Sequence, residues 1–399
     1  MKKKNKFLDI LKIVSIETLI FFLIMVFFRI ESTWILLATL ALIGGTLLYT
    51  RIYKKQTESI KALFASNRST VLIVLVLLLL LYPIVSPIII PQSTYWTLIL
   101  IQTGIYIMVA LGLNIQLGST GMMNLASAAF YGVGAYTAGM LALKLNWPAL
   151  ITIPVAGIAA ALVSLVLFLP VYKTKGHYLA LVTLAFGYML ALAADNIEFI
   201  GGPQGLKNIP SINLFGYDFL SKVGNFHFYT NYYYFVLALV ILTIIISHRF
   251  FNSWIGLTLS YIRDDEPAAK GCGVNSNRWK LLSLTTGCFF MGVAGAIYAL
   301  MIGFISPPNF QFAQSLLIVS IVIIGGMDNI LGVIVGAIIL VIIPEKFRVI
   351  TQYRVMLYGI LIVVVLLSRP RGLIPFGARK YEASVLSARN GKEGPDGNK

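Results

Sequence analysis

Three consecutive acids, Asp264, Asp265 and Glu266, open the stretch "RDDEPAAKGCGVNSNRWK" (Arg263–Lys280) in a chain that otherwise avoids charge. Acids so placed could do one of two things. They could hold Mg²⁺ against a pyrophosphate, which needs a second acidic cluster facing the first; the other acids here are scattered singly, so that chemistry has no partner. Or they could start a helix, because carboxylates at a helix N-terminus cap free amides and suit its dipole, by about 0.3–1 kcal/mol each. Pro267 suits a first turn. Ala268 and Ala269 would offer a surface with little side-chain bulk, and Gly271 and Gly273 would end the helix, Gly273 as its left-handed cap. The stretch therefore predicts a short solvated helix over 264–273, open to close approach by another protein.

Other chemistry is hard to find. No GxxxxGK[ST] loop is present to cradle ATP phosphates, and the Gly391-Lys392 pair is followed by Glu. There are two cysteines, Cys272 and Cys288, without a CxxC, and three dispersed histidines, so neither a disulfide framework nor metal-ligand spacing is indicated. No cofactor or metal is expected in this chain.

The elements that must position this loop are membrane helices. Of 399 residues, 58% are hydrophobic and 12% charged, with a mean hydropathy of +0.86, against about 25% charge in soluble domains. Ser69 to Leu143 runs 75 residues without Asp, Glu, Lys or Arg, and Leu281 to Met327 another 47. Such runs suit a hydrocarbon layer about 30 Å thick crossed by helices of about 20 residues. The fold class expected is an all-α polytopic membrane protein with roughly 10–12 transmembrane or half-membrane helices.

The net charge of +16 does not mark a nucleic-acid surface. Basic residues gather in the N-terminus, 51–68, 171–177, 248–280 and the tail after Ser368, the pattern of cytosolic loops. Alternation then places both termini in the cytoplasm and 201–230 outside; Lys346, Arg348 and Arg354, which also fall outside, sit awkwardly with it. Segments 316–324 and 330–343 are short for full spans and read as a hairpin around Gly325-Gly326. Three regions follow: 1–68 with two extra helices and a basic loop, a core over 69–376, and a polar tail over 377–399.

Within the core, "LGLNIQLGSTGMMNLASAAFYGVGAYTAG" (Leu111–Gly139) is dense in small residues, which let helices approach closely or leave a narrow passage. Asn114, Gln116, Asn124 and Ser127, with Gly121, Gly132 and Gly134, could line such a passage at no cost in buried charge. Plain helix packing explains the same residues equally well.

The loop with its acid, Ala-Ala and following Gly273 resembles the cytosolic coupling loop of ABC-importer permeases, and the region as a whole resembles the longer, M-type permease of branched-chain amino-acid importers. Besides Leu111–Gly139, the blocks "HYLALVTLAFG" (His177–Gly187), "GGPQGL" (Gly201–Leu206), "GFISPPNF" (Gly303–Phe310), "IIGGMDNILGVIVGA" (Ile323–Ala337), "IPE" (Ile343–Glu345) and "RPRGL" (Arg369–Leu373) agree in order. The resemblance implies an ABC-importer permease fold and transport of leucine, isoleucine and valine. It implies two ATPase subunits that use ATP and dock on 264–273, a second homologous permease, an extracytoplasmic substrate-binding protein, surrounding lipid, and a bacterial inner membrane. The alternatives are urea, amides or other amino acids as cargo, or an ion-coupled carrier using Glu17, Asp195, Glu198 or Asp328. The chain departs from the family pattern at Met122–Ser127, at Pro267 and at Asp328, where glycine is usual.

Overall fold

The computed structural model describes residues 2–29, 67–171, 177–214, 217–220, 229–346 and, beyond these, 356, 359, 360, 363, 367 and 372–374. Charge-free runs of Leu, Ile and Val leave the backbone no partner in lipid but itself, and they form helices. In order these are α1 (Lys2–Arg29), α2 (Arg68–Ile89), α3 (Ser93–Thr120), α4 (Ser127–Lys144), α5 (Ala149–Val171), α6 (His177–Asn196), α7 (Thr230–Phe251), α8 (Trp254–Asp264), α9 (Glu266–Gly271), α10 (Ser276–Ile302), α11 (Phe312–Gly325) and α12 (Ile330–Lys346). Seven described segments are long and apolar enough to cross a membrane, so the all-α polytopic expectation holds. The apolar stretch expected at 34–49, most of that at 355–367, the loop 51–66 and the tail 377–399 lie outside the described residues.

The centre of the bundle is α10, packed on α3, α4 and α5. Apolar side chains gain little by leaving lipid for one another, so close van der Waals approach must hold such helices together. Glycine supplies it: a Cβ on Gly112 would stand 2.6 Å from the carbonyl oxygen of Gly287, and one on Gly134 would overlap the Gly292 backbone.

Proline costs α2 a hydrogen bond, and α7 restores it. Pro83 cannot donate to the Leu79 carbonyl one turn back; the Tyr233 hydroxyl donates to it at 2.9 Å, and Tyr234 donates to the Leu80 carbonyl at 3.0 Å. The N-terminal helix is anchored too. Phe28 stacks on Trp96 with centroids 4.5 Å apart, and Lys346 Nζ donates to the Phe28 carbonyl at 3.0 Å while lying 4.8 Å from the Trp96 ring. Lys346 thus sits at an aromatic-lined helix end with its ammonium group hydrogen-bonded.

Helices α11 and α12, of 14 and 17 residues, form the hairpin expected around Gly325-Gly326. Their glycines interlock: a Cβ on Gly336 would lie 2.5 Å from the Ile321 carbonyl oxygen, and Gly325 and Gly332 meet backbone to backbone. Short strands tie the loops at the opposite end, β1 (Leu206–Lys207) pairing antiparallel with β4 (Phe304–Ile305), and β2 (Asn213–Leu214) with β3 (Tyr217–Asp218).

Candidate functional site

The acidic loop folds as a capped helix, shorter than expected: it spans Glu266–Gly271 rather than 264–273. Asp264 ends α8, and Asp265 is the cap, its extended backbone (φ −153) placing Oδ1 3.0 Å from the Ala268 amide. Pro267 follows Glu266 in the first turn. Gly273 (φ +81) closes the helix: its amide donates to the Lys270 carbonyl at 3.0 Å and that of Val274 to Ala269 at 3.1 Å, the paired bonds of a Schellman end. A left-handed residue here disfavours any side chain.

Glu266 fixes this helix to the start of α10. Its carboxylate takes Lys270 Nζ at 2.9 Å and Lys280 Nζ at 2.7 Å. Partial burial opposes its ionisation, but the hydrogen bonds and charges of Lys280 and Lys270 outweigh that, and the carboxyl is held below its usual range.

One expectation needs correction. Ala269 is turned inward, 6% exposed, and is part of the loop's own packing. The residues left to solvent are Asp264, Asp265, Pro267, Ala268, Lys270, Gly271, Cys272 and Gly273, and a Cβ on either glycine would meet nothing within 4 Å.

The glycine-rich block is not one continuous helix. Helix α3 ends at Gly121 (φ +71), residues 121–126 are non-helical, and α4 resumes at Ser127. The freed amides find partners within the protein, Leu125 N donating to Thr183 Oγ1 of α6 at 3.0 Å and Ala126 N to Asn124 Oδ1 at 2.9 Å.

Of the polar residues expected to line a passage, Asn114, Gln116 and Asn124 are hydrogen-bonded within the chain, while Ser127 Oγ is buried without a hydrogen bond. Gln116 Nε2 donates to the Leu284 carbonyl of α10 at 3.1 Å, and Gln116 Oε1 accepts from Asn124 Nδ2 at 2.9 Å. Asn114 Oδ1 accepts the Asp328 amide at 2.8 Å. Asn114, Gln116, Asn124 and Ser127 are all at most 1% exposed. An amide in apolar surroundings is stable only when bonded, so these carboxamides pin α3 to α10, to the 121–126 break and to the α11–α12 turn. Gly134 is spent on packing, and Gly121, an exposed cap, stands beside Arg263.

The open space lies one helix away. A cavity of ≈ 440 Å³ is bounded by α4, α6 and residues 307–315. Leu125, Ala129, Leu184, Leu192, Phe310 and Phe312 give it apolar walls, while Tyr188, Asp195, Gln311 and Ser315 supply polar atoms. A smaller space of ≈ 170 Å³ shares Ala129, Ala191, Pro307 and Phe310 with it and reaches Gly132, the one expected path residue to border either. Phe310 packs between the Tyr131 and Tyr136 rings, at 5.5 and 5.7 Å, with Gly132 leaving room for its own ring. Ser315 Oγ accepts the Ala128 amide at 3.0 Å, joining α11 to the first turn of α4. Sequence reasoning missed Tyr188, Phe310, Gln311 and Ser315 as site residues; two of them, Phe310 and Gln311, end or directly follow "GFISPPNF", the signal that could have drawn attention to them.

A family model described as branched-chain amino acid transport system / permease component matches residues 95–366. The chain is 35% identical to the high-affinity branched-chain amino acid transport system permease protein LivM of Escherichia coli over 290 residues, covering 68% of each chain. It is 23% identical to the probable branched-chain amino acid transport permease protein LivM of Methanocaldococcus jannaschii, over 70% of this chain and 93% of that one. It is 25% identical to the permease protein LivH of the Escherichia coli system, over 67% and 91%. No solved structure matches the chain.

Proposed function

The chain belongs to the permease family of branched-chain amino acid transport systems, and we propose that the cavity between α4, α6 and 307–315 is this subunit's share of the amino-acid path. The protein is a membrane-spanning transport subunit of an ATP-driven importer. In this reading two ATPase subunits dock on the exposed face of α9, a second homologous permease faces the cavity, and a substrate-binding protein delivers cargo to the face formed by 201–207 and 304–305. Both termini are cytoplasmic in a bacterial inner membrane.

The observation that carries the reading is the pairing, in one chain, of a largely apolar cavity with an exposed helix end. The cavity's volume falls in the range of small-ligand sites, about 300–1,000 Å³. Its chemistry suits a zwitterion with a branched apolar side chain: the Asp195 carboxylate for the ammonium group, and Leu125, Leu184, Leu192 and Phe310 for the hydrocarbon. The sidedness has support as well. Leu373 N donates to the Ile324 carbonyl at 2.8 Å and Ile374 N to Gly325 at 3.1 Å, so the C-terminal stretch lies at the α11–α12 turn, beside Arg263 of the coupling loop. Phe28, Trp96 and Lys346 mark the other end. Of the acids an ion-coupled carrier could use, Asp328 is paired to Arg263, Asp195 and Glu198 are exposed, and Glu17, though buried at 8% exposure, lies on α1 and lines neither cavity.

The test is competition for labelled leucine uptake in the assembled complex. Isoleucine and valine should compete, and urea and acetamide should not. Equal competition by urea would move the cargo to the amide class.

A further inference from the structure

Asp328 lies in the turn between α11 and α12, in the left-handed region (φ +65) and only 5% exposed. A buried carboxylate in apolar surroundings is costly unless paired, and this one faces Arg263, whose Nη1 stands 3.6 Å from Asp328 Oδ2. The same Nη1 donates to the Gly118 carbonyl at the end of α3. The Asp328 amide donates to Asn114 Oδ1 at 2.8 Å, and a Cβ on Gly118 would lie 2.7 Å from that amide nitrogen. Arg263 is two residues before Asp265, the cap of α9, and also meets Asp264 at 3.6 Å.

We propose that Arg263 and Asp328 are a positioning pair that couples the ATPase-docking loop to the α11–α12 hairpin. The proposal rests on the importer reading above. Backbone contact through Gly325, Gly332 and Gly336 makes the hairpin one body, and the far end of α11 carries Gln311, Phe312 and Ser315 of the cavity. Displacement of α9 therefore pulls on Arg263, shifts the turn at Asp328, and moves one wall of the cavity relative to α4 and α6.

The readout is molecules of leucine taken up per ATP hydrolysed, in liposomes holding the complete importer, with its binding protein loaded. The ratio does not depend on how much complex assembles, so a merely structural role leaves it unmoved. Asp328→Asn keeps a side chain tolerated at positive φ and should lower the ratio about tenfold, and combining it with Arg263→Gln should lower it no further, the signature of one shared interaction. Arg263→Lys, which keeps the charge, should retain at least about half the wild-type ratio. Unchanged ratios in both single variants, or losses that multiply in the double, would overturn the proposal. If Asp328→Asn fails to assemble, Arg263→Gln and Arg263→Lys decide by themselves: equal ratios for the two would overturn it. Wild-type complex with no ATP-driven uptake would overturn the importer reading itself, and the pair's role with it.

Discussion

Asn124 Nδ2 donates to Gln116 Oε1 across 2.9 Å, while Gln116 Nε2 reaches the Leu284 carbonyl of α10. The non-helical stretch 121–126 is thereby held to the seam between the two most buried helices. Asn124→Ala leaves a buried acceptor unsatisfied and should lower stability by about 1–3 kcal/mol. Thermal unfolding of the detergent-purified protein should show the loss, while residual uptake keeps the wild-type order of competing amino acids. A changed order at unchanged stability would place Asn124 in the path instead.

The two alanines of α9 should behave differently. Ala268 is exposed and Ala269 buried. Ala268→Glu is expected to leave membrane levels intact and remove the co-purifying ATPases, whereas Ala269→Glu places a charge in the loop's own packing and should lower the protein level itself. Pull-down normalised to membrane content separates the two.

Gly273 (φ +81) meets nothing within 4 Å, so a side chain there is strained by backbone alone. Gly273→Ala should cost about 1–2 kcal/mol locally, and Gly273→Asn about half as much or less. Amide exchange across 266–274 reads the difference, and identical exchange in the two variants would contradict the left-handed cap.

The loop should also report pH. Glu266 is held below its ordinary value of 4.5 by Lys280 and Lys270 against its burial. A depressed carboxyl stabilises the folded loop fully above the ordinary value and loses that contribution as pH falls through the lowered one. Protection of the α9 amides should be level above about pH 5 and decline below it. Glu266→Gln should be less protected at neutral pH and flat across the range.

Substrate size should be set at Ala129, which both cavities share. Ala129→Leu fills the space against Phe310, and uptake of leucine and isoleucine should fall about tenfold or more while valine, one methylene smaller, falls less. An equal loss for all three would mean a blocked path rather than a sized pocket.

What was legible in the residues followed the range of the interaction. Asp265 and Gly273 act on their own backbone within one turn, so cap and terminus could be read from order alone. The hairpin at Gly325-Gly326 is local in the same sense. Which way Ala269 points depends on where α10 lies, and the roles of Asn114 and Gln116 depend on Asp328 and Leu284, far along the chain. The cavity was the least legible part, because Ala129, Tyr188 and Phe310 come from three separate segments and each looks like ordinary apolar packing by itself. Asp328, out of place as a charge in an apolar hairpin, makes sense only once Arg263 is seen beside it.

The central claim is that this chain carries branched-chain amino acids only when ATPases act on its α9 loop. The most direct measurement is leucine uptake into liposomes holding the complex purified from its own membrane in mild detergent, with ATP inside or omitted, beside liposomes holding this chain alone. Uptake is expected with ATP, none without it, and none by the chain alone. Uptake by the chain alone, driven by a proton or sodium gradient, would contradict it.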